Sequence, residues 1–220
     1  DGIMIACVDF SEPEVLQLAL SDIPVVTIDY IFNDRLAVVS DNAKGMEDLF
    51  TYIYQMGHRR IAYIHGTDSA VTTNRLSSFY RTAEKLGVEI PDEYVMMTRY
   101  RDTKGAGEAT EKLLDLRRPP TCIIYPDDFA AFGGIHVIRE RGMSIPEDIS
   151  IAGYDGIRLA KLTVPNLTTL CQDTQHLGQY AAEKLIDLIE KPKTAMRNIT
   201  IVQGKLYEGQ TVLKLDGSRG

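Results

Sequence analysis

The chain has 220 residues, enough to bury one sizeable core or two lobes, and its apolar (44%) and charged (25%) shares are those of an ordinary globular protein. No apolar run reaches the ~18 residues that cross a bilayer and no secretory segment opens the chain, which argues against a membrane protein. The net charge is −7, and the densest basic clusters are only His58-Arg59-Arg60 and Arg117-Arg118; a nucleic-acid surface would show a basic stripe, so DNA contact would have to come from residues outside this sequence. The first residue is Asp1 rather than Met, which predicts a piece of a longer protein. Cys7, Cys122 and Cys171 are odd in number, widely spaced and, for the first two, set among apolar neighbours. That pattern predicts buried thiols in a reducing, cytoplasmic setting. The four histidines have no metal-ligand spacing, and neither metal nor cofactor is expected.

Ile3–Val8 is a short continuous apolar run, the pattern of a strand covered on both faces. Ser11-Glu12-Pro13-Glu14 forms a capping box for a helix through Leu20, and Pro24–Ile28 predicts a second strand ending at Asp29-Tyr30. Val38-Val39 begins an extended piece before Asp41-Asn42. Met46, Leu49, Phe50, Ile53 and Tyr54 follow helical spacing up to Gly57, a left-handed cap. The alternation then continues: strand Ile61–Ile64, helix Leu76–Leu86 closed by Gly87, strand Tyr94–Thr98, and helix Ala106–Leu116 before Pro119-Pro120. Strand Cys122–Tyr125 leads into a helix capped by Asp127 or Asp128 and closed by Gly142, and Ile149–Tyr154 is the next strand. Leu167–Cys171 reads as extended, a long helix spans about Thr174 to Glu190, and strand-like segments lie near Ile199–Val202 and Thr211–Leu215. The repetition predicts an α/β fold with a parallel, doubly wound sheet. Ligands of such sheets sit beyond the carboxyl ends of the strands, which points to Asp9, Asp29-Tyr30, His65, Asp127-Asp128 and Asp155. Each acid there can equally be a helix cap or turn former.

Several blocks resemble one family in order along the chain. They are Val39-Ser40-Asp41-Asn42 with Gly45, Gly57-His58-Arg59-Arg60-Ile61-Ala62-Tyr63-Ile64, and Tyr125-Pro126-Asp127-Asp128 with Ala131 and Gly133. Arg141-Gly142, Ile145-Pro146-Glu147-Asp148-Ile149-Ser150 and Gly153-Tyr154-Asp155 follow, then Pro165 with Leu167-Thr168-Thr169 and Leu177-Gly178. Together they are similar to the effector-binding domain of LacI/GalR (lactose-repressor-like) transcription regulators. The resemblance implies two Rossmann-like lobes of the type I periplasmic-binding-protein-like kind, with a small effector held between them. By that analogy residues 1–40 and 173–200 form a partial N-terminal lobe, and residues 41–172 and 201–220 the C-terminal lobe. Family members carry a helix-turn-helix head and about two further βα units before the strand resembling Ile3–Val8, so the resemblance implies truncation at the N-terminus and exposed apolar sheet surface. It also implies a homodimer that reaches operator DNA through the head absent from this chain.

Arg75, after Thr72-Thr73-Asn74, matches the family's effector-binding arginine, and a guanidinium offers five donors in a fixed fork suited to vicinal hydroxyls or a carboxylate. Read without the family, it is a surface arginine in the first turn of a helix. Asp155 and Asp29 match effector-contacting acids, and Asp127 stands where relatives often carry Asn; charged carboxylates are strong acceptors for hydroxyls. Where the family often has a second acid or amide after Asp155, this chain has Gly156. Tyr30, Phe129 and Tyr154 offer flat faces for a sugar ring or a base, or else belong to the core. Asp41, Asn42 and Gln172 fall at the lobe crossovers, with Asp41-Asn42 also readable as a helix cap. The expected partner is a small effector, a sugar by preference, with no membrane partner. A solute-binding protein of a sugar transporter is the alternative. No nucleophile–base set or cofactor loop is visible, so an enzyme is not expected.

Overall fold

The computed structural model describes residues 1–6, 13–14, 17, 20, 23–31, 36–195 and 198–216. Cys7, Val8 and Asp9, and the Ser11-Glu12 start of the expected capping box, lie outside the described residues. The chain divides into two compact units: Asp1–Asp41 with Asp173–Gly204, and Asn42–Gln172 with Lys205–Gly220.

The smaller unit holds a four-stranded sheet in the order β1 (Ile3–Ala6), β2 (Val25–Ile28), β3 (Ala37–Ser40) and β9 (Ile199–Val202), every neighbouring pair parallel. The long helix α5 (Thr174–Glu190) opens on Asp173, whose side chain accepts from the His176 N–H, and lays Leu177 and Ala181 against Val26, Val38 and Val202. Apolar surface stays exposed at Met4, Ile199 and Ile201.

The larger unit is a six-stranded sheet in the order β10 (Lys205–Tyr207), β8 (Thr168–Cys171), β7 (Ser150–Asp155), β6 (Cys122–Ile124), β4 (Ile61–His65), β5 (Val95–Met97). Its central strands β4 and β6 are nearly continuous apolar runs because both faces are covered. Alternate residues of β4 serve two cores: Ile61 and Tyr63 pack with α1 (Asn42–Gln55) and α2 (Ala70–Lys85). Ala62 and Ile64 pack with α3 (Thr103–Leu114) and α4 (Asp128–Glu140). The last two helices lie so close that a Cβ on Gly133 would stand 1.9 Å from the Thr103 carbonyl oxygen, which explains the small residue there. The expected glycine caps Gly57, Gly87 and Gly142 all have positive φ (95°, 68° and 71°).

Three segments depart from expectation. β5 starts at Val95, because Pro91 leads into a short 3-10 turn, Asp92–Tyr94, that turns Tyr94 inward to donate its hydroxyl to the Arg118 carbonyl (2.6 Å). The expected strand at Thr211–Leu215 is absent, and the last strand is Lys205–Tyr207, antiparallel to β8. Thr211-Val212-Leu213 is β-branched and apolar in composition, but its bonds run to side chains as much as to a ladder. The Thr211 hydroxyl donates to the Ile151 carbonyl (2.8 Å) and accepts from the Thr168 N–H (2.9 Å), while the Leu213 N–H donates to Ser150 Oγ (2.9 Å). Of the two acids offered as cap of α4, Asp127 is the cap, accepting from the Ala130 N–H at 2.8 Å.

Candidate functional site

The carboxyl ends of β6 and β7 bring the site together within the larger unit. β6 runs out into Tyr125-Pro126-Asp127, and β7 ends at Asp155. Arg75 reaches this edge from the second turn of α2, whose start is fixed by Ser69 accepting from the Thr72 N–H. Its side chain is only 3% exposed. Nε donates to Asn42 Oδ1 (2.8 Å), Nη1 donates to the Pro126 carbonyl (2.9 Å), and the guanidinium lies 3.5 Å from the centre of the Tyr154 ring. Nη2 faces Asp155 Oδ1 at 3.9 Å, an ion pair too long for a direct hydrogen bond. A buried guanidinium is tolerated when its donors and charge find partners, and here the protein satisfies one side of the fork.

Asp155 sits at φ 102°, a backbone conformation uncommon for a residue with a side chain. Such strain persists only where neighbours over-determine it. Gln172 does so twice, donating its N–H to the Asp155 carbonyl (3.0 Å) and Nε2 to Asp155 Oδ1 (2.8 Å). Gly156 follows at φ 72°, with a Cβ there falling 2.6 Å from the Cys171 Cα, so the absence of a second acid has a steric cause. Asp128 locks the same corner from below. Its Oδ1 accepts from Thr169 Oγ1 (2.6 Å) and its Oδ2 from the Ile157 N–H (2.8 Å).

Burial pushes the Asp155 carboxyl up to about 7, against the pull of the Arg75 charge and with Asp128 and Asp127 adding to the rise. Burial likewise raises Asp128 to about 6 and lowers His58 to about 4. The first two groups bind a proton in the folded chain that they release when unfolded, so their stabilisation is lost as pH rises through about 6 and about 7. His58 acts oppositely, and its effect fades as pH rises above its unfolded value of 6.5. Between pH 6.5 and 8 the Asp155 effect is therefore the largest of these three. The urea midpoint is expected to fall across that interval, and Asp155→Asn to flatten the fall; an unchanged slope in the variant would contradict the assignment.

The other expected residues are placed as follows. Both Asp127 oxygens are engaged, Oδ1 by the Ala130 N–H and Oδ2 by the Arg101 N–H (2.7 Å). Phe129, one residue into α4 from Asp128, is exposed and meets Phe132 edge to face. Asn42 opens α1 and is buried on Arg75, and Gln172 is the last residue of the larger unit before the chain passes to the smaller one. Asp29, Tyr30 and Asp41 belong to the smaller unit. There Asp29, at φ 56°, accepts from the Ser40 N–H (2.6 Å) and hydroxyl (3.2 Å), the Tyr30 carbonyl accepts from Thr27 Oγ1 (2.5 Å), and the Asp41 N–H donates to the Val202 carbonyl (2.8 Å). His65 Nδ1 lies 2.8 Å from the Gly66 carbonyl. Two residues at the site had no sequence signal. The Tyr63 hydroxyl is buried with no hydrogen-bond partner among the described residues, and Arg101 sits beside Asp127. Among the described residues no group of His, Cys, Asp or Glu could hold a metal ion, and no helix is long and apolar enough to cross a membrane.

A buried arginine fork with one open nitrogen beside a strained, half-buried acid can hold a ligand carrying neighbouring hydroxyls or an anionic group. Residues 50–212 match the family described as periplasmic binding protein-like domain. The chain is 29% identical over 204 residues to the ribose operon repressor of Haemophilus influenzae, covering 91% of this chain and 61% of that protein. It is 30% identical over 217 residues to the HTH-type transcriptional repressor PurR of Salmonella arizonae, covering 96% and 63%. Among solved structures, a LacI family transcriptional regulator from Enterococcus faecium with bound ribose superposes with a TM-score of 0.87 at 26% identity, over 98% of this chain and 80% of that one. The chain spans less than two thirds of the length of the two repressors. It belongs to the periplasmic binding protein-like domain family, and its relatives there are LacI-family transcription regulators.

Proposed function

We propose that this chain is the effector-sensing part of a cytoplasmic, DNA-binding transcriptional repressor. In this reading it binds a sugar at the Arg75–Asp155 edge and changes operator affinity allosterically, without catalysing a reaction. The observation that carries it is the placement of Arg75 beside Asp155, with Nη2 of the one facing Oδ1 of the other at 3.9 Å. Relatives that are named repressors, and one solved with ribose, support the regulator over a transporter's solute-binding protein. The family resemblance assigns Asp29 and Tyr30 to the same effector and the DNA contact to a separate head. Coupling between two such sites is typically about 1–3 kcal/mol, or five- to 150-fold in affinity. In the whole protein, operator binding measured by fluorescence anisotropy should change by a factor in that range when the effector is added. Operator affinity indifferent to every ligand that binds the chain would overturn the regulatory reading.

A homodimer is part of the proposal, because a two-fold operator calls for two heads. The larger unit exposes Leu159, Leu162 (75%) and Val164 (83%), and Val164 lines a groove of about 230 Å³ with Phe132, Ile135 and Pro165. An apolar surface of this kind supports a protein contact, and it holds none of the Arg75–Asp155 residues. A monomer in light scattering at micromolar concentration would contradict dimerisation.

A further inference from the structure

Two arginines are anchored on one dipeptide at the end of β6. Arg75 donates Nη1 to the Pro126 carbonyl (2.9 Å), and Arg101 donates its backbone N–H to Asp127 Oδ2 (2.7 Å). Arg101 is held at φ 59°, in the left-handed region that side chains rarely adopt. Its loop is pinned from the other side as well, since the hydroxyl of the preceding Tyr100 meets Thr72 Oγ1 of α2 at 2.9 Å. The strain serves no packing purpose that the side chain reveals. Arg101 is exposed, and among the described residues its guanidinium has no hydrogen bond or ion pair. Its charge is nevertheless felt at Asp155, where it favours the ionised form.

The acids of the edge are, by contrast, already occupied. Both oxygens of Asp127 and both of Asp128 accept hydrogen bonds from the protein itself. Asp155 has Oδ1 on Gln172, and only its Oδ2 accepts nothing from the described residues. The open groups are therefore mostly donors: Nη2 of Arg75 and the whole fork of Arg101, against one carboxylate oxygen. A neutral polyol offers donors and acceptors in equal measure and would leave part of the Arg101 fork without a charged acceptor. A carboxylate or phosphate matches the planar fork of a guanidinium in both charge and geometry.

We propose that Arg101 binds an anionic substituent of the effector, so that the ligand is an acidic sugar, either a sugar acid or a sugar phosphate. This rests on the sugar-sensing reading above and narrows it. The test is calorimetric titration of the protein with matched pairs: galacturonate against galactose, glucuronate against glucose, and ribose 5-phosphate against ribose. One pair should show the acidic member binding tighter by on the order of tenfold or more, and the arm that does so tells carboxylate from phosphate. Arg101→Gln should remove that preference, Arg101→Lys should retain part of it, and added salt should weaken the acidic member more than its neutral partner. Because Arg101 is exposed and pinned through its main chain, neither variant removes a buried contact. Equal binding within every pair, or a preference that survives Arg101→Gln, would overturn the proposal. A neutral sugar bound equally well, and lost in Arg75→Ala, would do so while leaving the sugar-sensing reading intact; no binding by any member would sink both.

Discussion

Arg75→Ala is expected to lower the folding free energy by about 3–5 kcal/mol and to abolish effector binding. The side chain is buried, and its loss removes its hydrogen bonds to Asn42 Oδ1 and to the Pro126 carbonyl. A buried acceptor that loses its only donor costs about 1–3 kcal/mol, and a hydrogen bond to a charged group is worth about 1.5–3 kcal/mol. Removing the cation from the face of Tyr154 and from the field at Asp155 adds to that. At roughly 2–4 °C per kcal/mol for a chain of this size, the melting temperature should fall by roughly 6–20 °C. Arg75→Lys keeps the charge but cannot stack flat on Tyr154 while donating in two directions, so it should recover only part of the loss. Urea denaturation of the two variants is the check. An alanine variant within about 1 kcal/mol of the wild type would show that the arginine is a bystander.

Gly156→Ala should be nearly as damaging, although it adds one methyl group. A Cβ there would stand 2.3 Å from Cys171 Sγ and 2.6 Å from the Cys171 Cα, which is main chain and cannot step aside. Overpacking of this kind costs about 1–3 kcal/mol, and the left-handed backbone at φ 72° adds about 1 kcal/mol for any residue with a side chain. A loss of about 2–4 kcal/mol is expected. The site should suffer too, because pushing Gly156 off β8 separates Asp155 from Gln172, whose amide orients its carboxylate. Effector affinity in a variant that still folds at low temperature should drop at least tenfold, readable by titration at 10 °C. Unchanged affinity would mean that the Gln172–Asp155 bond does not position the acid for binding.

The core sheet of the larger unit was legible because its strands serve two cores at once. Ile61–Ile64 and Cys122–Ile124 are unbroken apolar runs for that reason, and the helices on either side show their 3.6-residue spacing. Lys205–Tyr207 was not legible: three residues with a lysine at the exposed edge carry no period, and Thr211–Leu215 resembles a strand in its β-branched and apolar composition while its bonds go to Ser150 and Ile151. At the site, motif and strand-end position pointed to Arg75 and Asp155. The contact of Arg75 with Asn42 spans 33 residues and that of Arg101 with Asp127 spans 26, so no local pattern could announce either. Arg101 in particular depends on a backbone angle that its sequence, Tyr-Arg-Asp, gives no reason to expect.

The most direct measurement of the central claim is a thermal-shift screen of the protein against neutral sugars, sugar acids, sugar phosphates and nucleobases, repeated with Arg75→Ala. At one hundred times its Kd a ligand adds about 2.7 kcal/mol, or roughly 5–10 °C for a chain of this size. The account predicts that one class of sugar produces such a shift and that Arg75→Ala loses it. A shift of the same size in Arg75→Ala, or a nucleobase as the only ligand, would contradict a sugar site built on Arg75 and Asp155.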